Sequence, residues 1–73
     1  MTEKIKSPLT GTVWKIEVKV GDQVSEDDTL VILESMKMEI PVEAPVSGTI
    51  TAIHVTEGAS VLDGLILIEM EES

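Results

Sequence analysis

Lys37 lies between Met36 and Met38, and among the residues that could do chemistry its primary amine is the one expected to project into water from a turn. The other candidates for chemistry are weaker. His54 is the only histidine and there is no cysteine, so it has no companion ligands for a metal and reads as a solvated strand residue. Glu26-Asp27-Asp28 lacks the alternating oxygen spacing of a calcium loop and reads as a charged turn. No Ser-His-Asp set and no Gly-rich phosphate loop can be assembled. An exposed lysine is ordinarily only a solubilising charge, and Lys4, Lys6, Lys15 and Lys19 are read that way. Lys37 differs by its place in the chain.

That place is set by a small scaffold. The chain has 73 residues, enough for one domain (1–73) whose core covers only about 60% of the surface exposed on unfolding. The absence of cysteine excludes a disulfide scaffold, a thiolate metal site and a thiol nucleophile, and fits a cytoplasmic protein. Met1 to Lys6 has no apolar signal core, and the longest apolar runs, Leu30 to Leu33 and Leu65 to Ile68, fall far short of a membrane span, so no membrane partner is expected. A formal charge of -9, no arginine and a single aromatic, Trp14, argue against nucleic acid as a partner. The acidity supports solubility; its sharper alternative is a noncatalytic interaction module that binds a basic protein.

Short runs of Val, Ile and Thr, broken by Gly, Pro, Asp and Ser, predict an all-β chain. Strands are expected at Lys4 to Lys6, Val13 to Val20, Leu30 to Ser35, Met38 to Val42, Thr49 to Val55 and Leu65 to Met70. In Val13 to Val20, strict alternation places Trp14, Ile16, Val18 and Val20 on one face, the buried one, and Val13, Lys15, Glu17 and Lys19 on the other. Pro41 marks an edge strand or a bulge.

The chain also repeats. Ser7 to Asp27 aligns with Ala44 to Gly64 at an offset of 37 residues, with identities that include Pro8/Pro45, Gly11/Gly48, Ile16/Ile53, Gly21/Gly58 and Val24/Val61. Beyond Asp27 the register is ambiguous by one residue. Repeats of about 7–34 and 44–71, each too small to bury its own apolar face, must pack on one another as a flattened β-sandwich or barrel of approximate two-fold symmetry. The connecting hairpin, 35–43, breaks the repeat. It puts Met36 and Lys37 at a two-residue turn, where Asn-Gly, Asp-Gly or Gly-X would be the favourable choices. A local rule broken without structural gain marks a functional position.

Glu34-Ser35-Met36-Lys37-Met38 resembles the Glu-Ala-Met-Lys-Met signature of biotin carrier domains. The run Glu39 to Gly48, the internal repeat and the Gly21 to Val24 turn extend the likeness to the biotinyl/lipoyl attachment family over nearly the whole chain. The resemblance implies a hammerhead-like carrier with biotin attached covalently to the Lys37 nitrogen by a biotin protein ligase that uses biotinyl-adenylate. It further implies that biotin then carries a carboxyl group between biotin carboxylase and carboxyltransferase components. Such a carrier is a substrate of its partners and not an enzyme, and a monomer is expected. Glu34, Ser35, Met36 and Met38 are implied as ligase recognition residues, although Met38 could equally turn inward as core. Ser35 replaces the usual alanine, and neither a Pro/Ala-rich tether nor an inserted protruding hairpin is present, which suggests a free-standing attachment protein. The alternatives are a lipoyl carrier or a dual biotin/lipoate acceptor. Lipoyl lysines usually follow aspartate, so the flanking methionines favour biotin.

Overall fold

The computed structural model describes all residues, Met1–Ser73, as eight strands and no helix. They are β1 (Thr2–Lys6), β2 (Gly11–Ile16), β3 (Gln23–Val24), β4 (Thr29–Ser35), β5 (Met38–Glu43), β6 (Gly48–Ile53), β7 (Ser60–Val61) and β8 (Ile66–Glu72). No helix is long and apolar enough to cross a membrane. Two four-stranded antiparallel sheets, ordered β1-β8-β6-β3 and β5-β4-β2-β7, face each other in a body of 35 × 17 × 17 Å. The all-β sandwich is the expected fold.

Each sheet draws two strands from each half of the chain, so neither half owns a sheet. Corresponding backbone bonds clasp the halves together: the Gly21 N–H donates to the Ile50 carbonyl and, 37 residues on, the Gly58 N–H donates to the Val13 carbonyl, both at 2.7 Å. Both glycines have positive φ, 96° and 90°, where a β-carbon is disfavoured. The core between the sheets is built from matched pairs, among them Val13 and Ile50, Leu30 and Leu67, Val31 and Ile68, and Leu33 and Met70, all essentially inaccessible to water. These pairs resolve the register: Leu30 to Leu33 matches Leu67 to Met70, not Leu65 to Ile68. β5 is the counterpart of β1 at the same offset.

The alternation expected for Val13 to Val20 is corrected. Strand β2 ends at Ile16, and its register against β4 slips between Val13 and Lys15, leaving Trp14 as an extra, bulged residue. The bulge reverses the faces at the start of the strand: Val13 is buried, while Trp14 is 47% and Val20 61% exposed. β6 slips at the equivalent step, between Ile50 and Ala52, with Thr51 as the extra residue. Two short strands, β3 and β7, follow turns that had been expected only as turns. Pro41 lies in β5, an edge strand, where its missing N–H leaves no central ladder bond unmade.

Candidate functional site

Strand β4 brings the apolar run Leu30 to Leu33 through the core and leaves it at Glu34, and β5 returns from Met38. Ser35 pairs with Met38, so the loop between them is Met36-Lys37 alone. Both residues have positive φ, 53° and 62°, the signature of a type I′ turn, which matches the twist of the flanking strands and is normally supplied by Asn and Gly. Here two side chains with β-carbons accept left-handed backbone. The result is an amine on a tight turn at one end of the sheet β5-β4-β2-β7. None of the chain's ion pairs involves Lys37.

The residues expected around the amine come together at this tip. Met36 is 91% and Met38 62% exposed, so Met38 does not turn inward to the core. Ser35 is half-buried and Glu34 is exposed. Glu34 stands directly opposite Glu39, a residue that had not been singled out. Opposed carboxylates destabilise a strand pair. At the corresponding place in the other sheet, Thr2 faces Glu71 and donates a hydrogen bond to its carboxylate at 2.9 Å. The Thr2 hydroxyl first, and then the N-terminal ammonium, lower the Glu71 pKa below its ordinary value.

Gly11 lies against the hairpin just before its turn. A β-carbon there would stand 2.6 Å from the Glu34 carbonyl oxygen and 3.4 Å from the Ser35 Cβ, so β2 can lie this close to the hairpin only with glycine. The chain termini are remote. β5 leads away from the tip to Ser47, whose carbonyl accepts a bond from the Ser73 N–H at 3.1 Å. At about 3.3 Å per residue, the strand separates the amine from that end by roughly 20 Å. His54 lies just beyond β6, exposed, with Nε2 2.6 Å from a Glu69 carboxylate oxygen. It is far along the chain from the tip and joins no part of it.

The site is thus an exposed primary amine on a two-residue turn, flanked by the exposed Met36 and Met38, with the opposed Glu34 and Glu39 one pair further down the strands. A family model described as "Biotin-requiring enzyme", for biotin/lipoyl domains, matches residues 3–70. The chain belongs to this biotin/lipoyl attachment family. It is 43% identical over 65 residues to a biotin/lipoyl attachment protein of Bacillus subtilis, with 89% of each chain covered. It is 50% identical over 58 residues to a biotin carboxyl carrier protein of Streptococcus mutans, covering 80% of this chain and 45% of that one. The urea carboxylase structure of Kluyveromyces lactis contains a region that superposes with a TM-score of 0.92 at 34% identity, covering 97% of this chain and 6% of that one.

Proposed function

We propose that this protein is a biotin carrier whose Lys37 is acylated by a biotin protein ligase and which serves carboxylase partners as a mobile substrate, not as a catalyst. One observation carries the reading: Lys37 occupies a solvent-exposed I′ turn that two non-glycine residues hold at left-handed φ, a local strain without structural return. In the acylation, the Lys37 ammonium loses one proton to become a nucleophile, its nitrogen forms an amide bond to the biotinyl carbonyl and loses a second proton, and the carbonyl–oxygen bond breaks with AMP as the leaving group. Loss of one positive charge takes the formal charge from -9 to -10. Bound biotin supplies a ureido nitrogen that accepts and releases a carboxyl group. The protein contributes placement. The turn presents the loaded nitrogen at one end of the body, and tethering raises the local concentration at each active site without tight docking. We read residues 1–73 as one attachment domain acting as a monomer in the cytoplasm, with biotin carboxylase and carboxyltransferase components as partners.

Co-expression with a biotin protein ligase, followed by intact mass measurement, tests this. One biotin adduct per chain is expected, lost in Lys37→Arg and retained with arginine at Lys4, Lys6, Lys15 or Lys19. A biotin adduct on Lys37→Arg would overturn the assignment. A lipoyl adduct on protein from its native cell would replace biotin by lipoate at the same lysine.

A further inference from the structure

The two-fold symmetry supplies an internal control for the surface around Lys37. The turn Leu62–Leu65 corresponds to Ser25–Asp28 in the other half, with Gly64 and Asp27 sharing positive φ at equivalent positions. Both turns are anchored alike: the Gly64 N–H donates to the Ser7 carbonyl and the Asp27 N–H to the Ala44 carbonyl, each at 2.8 Å. Either sequence therefore forms the turn, yet Ser25 and Asp28 are polar, the Ser25 N–H donating to the Asp28 carboxylate at 2.9 Å, while Leu62 and Leu65 are 70% and 45% exposed.

The register places Leu62 level with the tip. Thr12 is opposite Glu34 and Gly11 is opposite Val61, so the step from Val61 to Leu62 runs in the same direction as the step from Ser35 to Met36. Two strand spacings, about 10 Å, separate β7 from β4. The Asp63 N–H donates to the Thr10 hydroxyl at 3.2 Å, fixing the turn against the loop that leads into Gly11. The exposed apolar residues Met36, Met38, Leu62 and Leu65 thus share one end of the molecule, a discontinuous collar, and Glu34, Glu39 and Asp63 are exposed at the same end. The turn at the opposite end presents Ser, Glu and Asp instead.

We infer that the Leu62–Leu65 turn is a second docking contact for the biotin protein ligase, which meets it with an apolar surface edged by basic residues. This rests on the carrier reading of Lys37. Reach selects the ligase over the later partners. A free lysine amine stands only four methylenes from the backbone, so the enzyme that acylates it must approach the end of the body closely. Partners that act afterwards meet the longer biotinyl-lysine arm and can stand further off. The carboxylates on the rim select a basic margin, and steering between them weakens with salt.

The test measures kcat and KM for carrier labelling by a purified biotin protein ligase with biotin and ATP. Leu62→Ser/Leu65→Asp copies the residues that fold in the symmetric turn, and Leu62→Ala/Leu65→Ala leaves the charge unchanged. Both should raise KM for the carrier about tenfold or more with kcat within about twofold, since contact is lost while the amine keeps its place. Val20→Ser, which removes an exposed apolar residue outside the collar, should leave KM alone. Unchanged KM in the folded double variants overturns the docking contact and leaves the carrier reading intact. An equal rise in Val20→Ser also overturns it, because general surface apolarity would then be responsible. No labelling of wild type overturns the carrier reading and this inference together.

Discussion

If function holds Met36 and Lys37 in left-handed backbone, removing the functional residue should stabilise the fold. Lys37→Gly is the cleanest perturbation, because φ at this position is 62° and the side chain is exposed and outside every ion pair of the chain. Left-handed φ at a residue with a β-carbon costs roughly 1–2 kcal/mol. Glycine relieves that strain but raises the entropy of the unfolded chain, which offsets about 0.4–1 kcal/mol. The expected net gain is about 0.5–1 kcal/mol, or about 2–8 °C in Tm for a domain of this size. Lys37→Ala removes the same charge and stem but keeps the β-carbon, so its Tm should stay near wild type. Met36→Asn should also raise Tm, by relaxing its φ of 53° while leaving the amine in place. Thermal unfolding followed by circular dichroism on the four unmodified proteins decides. A Lys37→Gly protein that melts at or below Lys37→Ala would refute the claim that the turn stores strain.

Two further outcomes follow from the packing and the charges. Gly11→Ala forces a β-carbon against the Glu34 carbonyl, so urea unfolding should show a loss of about 1–3 kcal/mol. Labelling of Lys37 should slow as well, since a displacement of about 1 Å at the hairpin can cost roughly 100-fold in rate, and wild-type stability would contradict the close approach. The Glu71 pKa is depressed in the fold, by Thr2 first, so its contribution is present above the ordinary carboxylate range and is lost as pH falls through the lowered value. Glu71→Gln should therefore be less stable than wild type at neutral pH and converge with it in acid, modestly because the group is exposed; parallel urea midpoints across that range would refute the pairing.

The hairpin was legible because its signals are local: an apolar run ending at Glu34, a second run starting at Met38, and two residues left for the turn. The repeat was legible through identities such as Gly21/Gly58, which mark backbone positions that need positive φ. The bulge was not. Strict alternation from Val13 to Val20 reads correctly only if every residue is paired, and the extra residue at Trp14 arises from pairing with β4, a strand first met at Thr29. The register beyond Asp27 stayed ambiguous in the sequence for a related reason: Leu65 and Ile66 are apolar enough to pass for core, but the core positions begin at Leu67. Exposed apolar residues mislead any periodicity argument, and Leu62 and Leu65, near the amine, are exposed where their counterparts Ser25 and Asp28 are polar.

That asymmetry follows from what a duplicated fold leaves free to vary. The core and turn geometry are constrained twice: Val13 and Ile50 fill the same place, and Gly11 and Gly48 both meet backbone where a β-carbon would intrude. A residue needed for folding should therefore have a counterpart of similar character. At the Lys37 end several do not. Glu39 faces Glu34 where Thr2 bonds Glu71, Leu62 stands for Ser25, and Leu65 for Asp28. The other half shows that the fold does not require the opposed carboxylates or the exposed leucines. They gather around one amine, at the end of the molecule remote from Ser73, and their departure from symmetry is best explained by what must approach that amine.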